Sequence, residues 1–106
     1  MNGKQEEDTN SIKAILAERG SRYGDFGEHA RITQDLKAII TSGDSAKHLR
    51  PAQEEALDMI AHKIGRIVNG DPHYLDSWVD IVGYAQLVVD DMQKFPHKYR
   101  LEPQPV

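Results

Sequence analysis

The sequence contains no cysteine. Disulfide bonds, zinc–thiolate sites, iron–sulfur clusters and cysteine nucleophiles are therefore excluded as chemistry of this chain. The absence of cysteine fits a reducing compartment, and the first ten residues, MNGKQEEDTN, are polar and acidic, unlike a signal peptide. Apolar runs are also short, and none approaches the ~18 residues of a membrane span. We expect a soluble, cytoplasmic protein with no membrane partner.

Basic residues are in short supply. The 106 residues include 13 Lys plus Arg against 17 Asp plus Glu, a formal net charge of −4. This balance argues against direct binding of duplex nucleic acid, which favours a basic excess or stripe, but it leaves nucleotide chemistry through a metal ion open. At 39% hydrophobic residues, the chain predicts one domain with a small core, and a homo-oligomer that shares apolar faces fits this composition.

Alternating patterns typical of strands are absent, whereas apolar residues recur at helical spacing. The sequence predicts four helices, at 10–19 (ended by Gly20), 27–41, 51–69 and 73–95 (ended by Pro96). Residues 1–9 and 96–106 are expected to be a disordered tail and an irregular tail around a helical domain at 10–95. The predicted fold class is all-α, a four-helix antiparallel bundle completed by dimerisation.

Two carboxylates distinguish the fourth helix. Asp76 and Asp80 are spaced i, i+4 on one side of a helix that is otherwise nearly all apolar, which predicts burial on several sides. Buried carboxylates need partners, because an unpaired buried charge is costly. Salt bridges to Lys63, Arg66 or Arg22 would satisfy them, and so would a divalent cation.

The cation alternative draws on the third helix as well. Mg²⁺ prefers oxygen ligands and often keeps substrate phosphates in its shell. Two carboxylates of the third helix would face two of the fourth, and all four would act as metal ligands and catalytic groups: Glu55, Asp58, Asp76 and Asp80. Lys63 and Arg66 would hold phosphate oxygens. This set predicts metal-assisted attack of water on a phosphoanhydride.

A glycine-punctuated loop at 20–26 offers a substrate contact. Tyr23 and Phe26 would stack on a base, and Arg22 would contact a phosphate. The structural alternative is a turn between helices capped by Asp25. On the third helix, His62 lies on the same polar stripe as Glu55, Arg66 and Asn69. That stripe predicts either a substrate contact or the solvated side of an amphipathic helix.

Three segments carry a resemblance to a known family. They are RGSRYGDF at 19–26, MIAHKIGRIVNGDP at 59–72 and DSWVDIVGYA at 76–85. Together they resemble a small phage and prophage family of helical proteins of unknown function. The chain is more distantly similar to the all-α nucleoside triphosphate pyrophosphatases of the MazG and dUTPase type, which bind Mg²⁺ through acidic pairs on two helices.

In that likeness, Glu55-x-x-Asp58 corresponds to the first acidic pair and Asp80 to the aspartate of the second. Ser77 stands where the second pair has glutamate, and Asp76 lies one residue earlier. The resemblance implies an oligomer and Mg²⁺-dependent hydrolysis of a nucleoside triphosphate to monophosphate and pyrophosphate. Two alternatives remain: a non-enzymatic helical module that binds a nucleotide or protein with its acids charge-paired, and a structural or regulatory dimer.

Overall fold

The computed structural model describes residues 3–100, with the side chains of residues 10–100. Four helices make up this part of the chain: α1 Gly3–Tyr23, α2 Phe26–Thr41, α3 Pro51–Asn69 and α4 Leu75–Lys94. Short 3₁₀ turns lie at Ala46–His48 and Pro96–Lys98, and residues 3–100 contain no strand. The predicted all-α, bundle-like class is confirmed. No helix in the described range is long and apolar enough to cross a membrane.

The first and fourth helices differ from their predicted bounds. α1 begins at Gly3 and passes through Gly20, whose carbonyl accepts a hydrogen bond from the Gly24 N–H at 2.9 Å. A helical glycine costs only about 1 kcal/mol, so Gly20 alone does not end the helix. α4 begins at Leu75, since the Asp71 carboxylate accepts from the His73 N–H and holds a turn before it. Residues 1–2 and 101–106 of the predicted tails lie outside the described residues.

α3 is the central helix, with α2 on one side and α4 on the other. Gln53 near its start contacts Met92 near the end of α4 (Nε2–Sδ 3.7 Å), so α3 and α4 run antiparallel. Near the start of α2, His29 lies against His62 in the second half of α3, so these two helices are antiparallel as well. Both faces of α3 are therefore occupied within one chain.

α1 contacts this three-helix unit far less extensively. Its apolar residues Ile12, Ile15 and Leu16 are 56%, 50% and 61% exposed. The molecule measures 67 × 28 × 26 Å. A 21-residue helix is about 31 Å long and a 19-residue helix about 28 Å, so α1 and α3 placed end to end account for most of the long dimension. α1 therefore projects from the bundle.

The core of a single chain is small. Among the described side chains, the buried apolar residues are Ala56, Ala61 and Ile67. α4 is not buried on several sides, contrary to the sequence prediction. Its face opposite α3 exposes large apolar residues: Leu75, Trp78, Val79, Val82 and Val89. Among residues 3–100, α4 packs against α3 and the following 3₁₀ turn, and no other described element covers this face.

Candidate functional site

Two turns that are distant in sequence are fastened together at one end of the bundle. The side-chain amide of Asn69, the last residue of α3, donates hydrogen bonds to the carbonyls of Tyr23 (3.0 Å) and Asp25 (2.8 Å). The Asp71 N–H donates to the Arg22 carbonyl at 2.6 Å. The α1–α2 turn is therefore held against the α3–α4 turn, which fixes the end of α1 relative to α3.

Glycine is required on both sides of this junction. Gly24 has a positive φ of 79°, a left-handed conformation that glycine adopts without strain. A Cβ atom on Gly24 would lie 2.1 Å from the Asn69 carbonyl oxygen, and one on Gly70 would lie 2.1 Å from the Arg22 carbonyl oxygen. The glycines of the two sequence motifs thus allow the two backbones to touch.

A pocket of about 530 Å³ opens beside this junction, between the end of α1, the start of α2 and α3. Its lining combines cationic, aromatic and imidazole side chains with the backbone of the turn: Leu16, Arg19, Gly20, Tyr23, Gly24, Asp25, Phe26, His29, His62 and Arg66. Four of the six predicted substrate-binding residues meet here, namely Tyr23, Phe26, His62 and Arg66. Arg22 and Lys63 do not line this pocket.

Arg66 and Tyr23 form one wall of the pocket. The guanidinium carbon of Arg66 lies 4.1 Å from the centre of the Tyr23 ring, a cation–π distance. Arg22 turns to the other side of α1, where it donates to the Tyr74 hydroxyl at 2.8 Å and pairs with Glu18 at 3.1 Å. Arg22 is therefore engaged away from the pocket, and Arg66 is the arginine that enters it from α3.

Two histidines meet at the floor of the pocket. His29 Nε2 and His62 Nδ1 are 3.2 Å apart, and the two rings are edge to face with centres 4.7 Å apart. His29 is buried and His62 half-buried. Burial is the main cause that lowers the pKa of both rings, and the nearby Arg66 charge adds to it; the pKa of His62 falls to about 4. Both imidazoles are therefore neutral at pH 7.

The four predicted metal-binding carboxylates are not placed as the sequence suggested. Lys63 Nζ lies 2.9 Å from Asp80 Oδ2, and the Lys63 side chain is only 12% exposed. Asp76 is exposed and accepts a hydrogen bond from the Tyr74 hydroxyl at 3.0 Å. Glu55 is exposed and Asp58 half-buried on α3.

The donor set does not fit the predicted four-carboxylate Mg²⁺ site within one chain. Across the side chains of residues 10–100, no group of three or more His, Asp or Glu is placed to hold a metal ion. The reason is the angular position of Lys63 on α3: it faces α4, and its ammonium group takes the place beside Asp80 that a cation would need. Of the partners considered for Asp76 and Asp80, Lys63 is the one that pairs.

Of the six lining residues that the sequence did not predict, Arg19 and His29 carry the side chains best able to bind a ligand. His29 follows Phe26 by three positions in α2, a spacing that places both on one helix face, and this was the available signal. The sequence could not show that this face meets His62, which is 33 positions away. Arg19 precedes Tyr23 by four positions, and the two share a helix face because α1 continues through Gly20, where the sequence predicted an end.

Comparison with known proteins identifies the family of the chain. No curated protein and no solved structure matches the chain. Residues 9–91 match the model of a family described as a domain of unknown function, DUF6378. This match spans α2, α3, most of α4 and the described side chains of α1, and so includes every residue that lines the pocket. The chain belongs to the DUF6378 family.

Proposed function

We propose that the chain binds a small anionic ligand with an aromatic ring, of the nucleotide class, in the pocket between α1, α2 and α3. The observation that carries this proposal is the Arg66–Tyr23 stack beside the paired histidines and the exposed ring of Phe26. These groups supply charge, hydrogen bonds and a stacking surface within one cavity. This develops the non-enzymatic alternative, in which the acids of α4 are charge-paired.

The charges of the pocket favour an anion. Arg19 and Arg66 both line it, and guanidinium groups bind phosphate oxygens through two parallel hydrogen bonds. The only carboxylate in the lining is that of Asp25, which accepts a hydrogen bond from the Glu28 N–H at 2.9 Å and caps α2. This carboxylate is therefore occupied by its helix-capping hydrogen bond, and the two arginines give the pocket a positive charge.

The aromatic and size features favour a base. Phe26 is 78% exposed at the rim, although exposing a phenyl ring to water is energetically unfavourable. Stacking of a base on an aromatic side chain contributes about 1–3 kcal/mol. The 530 Å³ volume lies within the range of small-molecule sites, roughly 300–1,000 Å³. A mononucleotide would therefore place its base on Phe26 and its phosphates near Arg66.

Calorimetric titration with ATP and with a deoxynucleoside triphosphate in EDTA tests this proposal. Binding by the wild type, weakened about tenfold or more in Arg66→Ala, is the expected result, because a hydrogen bond to a charged group contributes ~1.5–3 kcal/mol. Arg31→Ala is the matched control, since Arg31 is exposed on α2 and pairs with Glu28 and Asp35 outside the pocket. No binding by folded wild type would contradict the proposal.

Mg²⁺-dependent hydrolysis of a nucleoside triphosphate, drawn from the likeness to MazG-type enzymes, stays a prediction, and so does the phage or prophage origin. Calorimetry with Mg²⁺ or Mn²⁺ and a triphosphate, in wild type and Asp80→Ala, tests the enzyme prediction. Binding that needs both metal and nucleotide and is lost in the variant would support it. A well-folded wild type that binds no metal would contradict the enzyme prediction. The proposed ligand is consistent with the predicted cytoplasmic location.

We also propose that the chain self-associates, as its composition predicted. A folded monomer of 12.0 kDa is expected to expose about 6,000 Å², whereas this chain exposes 8165 Å². The excess of roughly 2,000 Å² per chain corresponds to about 4,000 Å² for two chains, within the roughly 2,000–5,000 Å² that obligate homodimers bury in total. The exposed apolar residues of α1 and α4 are the surfaces that such an interface would cover. Sedimentation equilibrium of the wild type is the test, and a monomer at all concentrations would contradict it.

A further inference from the structure

We infer that α1 of a second copy lies in the groove between α3 and α4, so that two copies exchange their first helices. The inference rests on the proposed self-association and specifies which surfaces meet. Three features lead to it: an exposed apolar stripe on α1, an apolar groove between α3 and α4, and a basic pocket at the end of that groove that complements the acidic sequence at the start of α1.

The stripe on α1 consists of Ile12, Ile15 and Leu16. Their spacing of three and four residues places them on one helix face, and each is at least half exposed. Short isolated helices are marginal in water, and packing of an apolar face provides most of their stability. Because the described part of the chain leaves this stripe exposed, a second copy can supply that packing.

The groove lies between α3 and α4 and encloses about 300 Å³. Its walls are almost entirely apolar, with Leu57 and Ile60 from α3 and Ala85 and Val88 from α4. The exposed side of α4, which includes Val82 and Val89, continues this apolar surface. A helix with apolar residues at i, i+3 and i+4 is the shape that fills such a groove.

The groove continues into a basic pocket of about 660 Å³ at the start of α3, and the two cavities share Leu49 and Gln53. Five basic side chains line this pocket: Lys47, His48, Arg50, Lys98 and Arg100. None of its lining residues is acidic. The nearby Asp91 is occupied by the Tyr99 hydroxyl and by Lys98 at 3.9 Å. In a chain of net charge −4, this local excess of positive charge favours an anionic partner.

The sequence of α1 contains such a partner. Glu6, Glu7 and Asp8 form an acidic run near its start. Seven positions separate Asp8 from Ile15, and seven separate Arg50 from Leu57. A helix parallel to α3, with position 8 level with position 50, would therefore bring Ile15 alongside Leu57 and the groove.

One chain cannot make this contact with itself. The end of α1 is fastened to the end of α3 through Asn69, so α1 and the basic pocket extend in opposite directions along the 67 Å axis. Two copies side by side and antiparallel bring the start of each α1 to the partner's basic pocket. α1 at about 31 Å and α3 at about 28 Å have nearly equal lengths, so the exchange closes into a two-fold dimer.

Site-directed cross-linking tests the arrangement, because the natural chain has no cysteine. Ile15→Cys and Leu57→Cys proteins are refolded together and treated with a short bismaleimide. A covalent dimer that contains one chain of each variant is expected. Gln34→Cys, on the exposed side of α2, replaces Leu57→Cys in the control and should give little product. Equal product with both would overturn the inference.

A charge-reversal series provides a second test that keeps the apolar surfaces intact. Lys47→Glu with Arg50→Glu should weaken the dimer about tenfold or more at low salt, since like charges then face each other. Glu6→Lys with Glu7→Lys should do the same, and mixing the two proteins should restore dimers. Unchanged dimers in both variants would overturn helix exchange while self-association stands. A monomeric wild type would contradict both helix exchange and self-association.

Discussion

The guanidinium group of Arg66 lies over the ring of Tyr23, with its central carbon 4.1 Å from the ring centre. The contact joins the middle helix of the bundle to the end of α1. It also holds the positive charge of Arg66 at the wall of the pocket, where a ligand phosphate would meet it. Removing either partner should therefore affect ligand binding more strongly than it affects folding.

Phe26→Ala should weaken nucleotide binding about fivefold to 100-fold, because a stacking contact of about 1–3 kcal/mol is lost. The unfolding free energy should change by less than about 0.5 kcal/mol, as is usual at exposed positions. Calorimetry and chemical denaturation measure the two quantities. Loss of stability with unchanged affinity would show that Phe26 packs against protein rather than against a ligand.

Asn69→Ala should lower the unfolding free energy by about 1–3 kcal/mol, since two backbone carbonyls lose their donor at the junction of the two turns. Gln34→Ala is the matched control, because this exposed amide on α2 should change stability by only about 0.5 kcal/mol. Urea denaturation followed by circular dichroism measures both. Equal effects would contradict the fastening role of Asn69.

Stability should fall as the pH drops from about 6.5 towards 4. The folded pKa of His62 is about 4, and that of His29 is also lowered, whereas an unfolded histidine titrates near pH 6.5. In this pH window the unfolded chain binds more protons than the folded chain, so lowering the pH favours unfolding. His62→Asn, which keeps an acceptor for His29, should reduce this slope. An identical pH dependence in variant and wild type would contradict the account.

Asp80→Asn should destabilise the fold even in EDTA, by about 1–3 kcal/mol, since the nearly buried Lys63 ammonium loses its charged partner. Adding Lys63→Met to Asp80→Asn should recover much of the loss, because no unpaired charge remains. A double-mutant cycle measures the coupling between the two side chains. An effect that appears only with Mg²⁺ present would favour a metal role for Asp80 instead.

The sequence predicted the four helices and four of the ten residues that line the pocket. Apolar periodicity located α2 and α3 closely, and residue type together with helical position singled out Tyr23, Phe26, His62 and Arg66. Among the described residues of one chain, the four carboxylates do not come together as a metal site, because helical spacing gives the face of a residue but not what lies across from it. Lys63 faces α4, and this depends on how α3 is rotated in the bundle, which the sequence pattern leaves open.

The central claim is that the pocket beside the junction binds a nucleotide. Its most direct test is a series of amide ¹H–¹⁵N NMR spectra of the labelled wild type, recorded with increasing ATP in EDTA. The account predicts saturable shifts concentrated at residues 19–29 and 62–66, absent in Arg66→Ala. Saturable shifts confined to other residues, or no shifts at millimolar ATP, would contradict it.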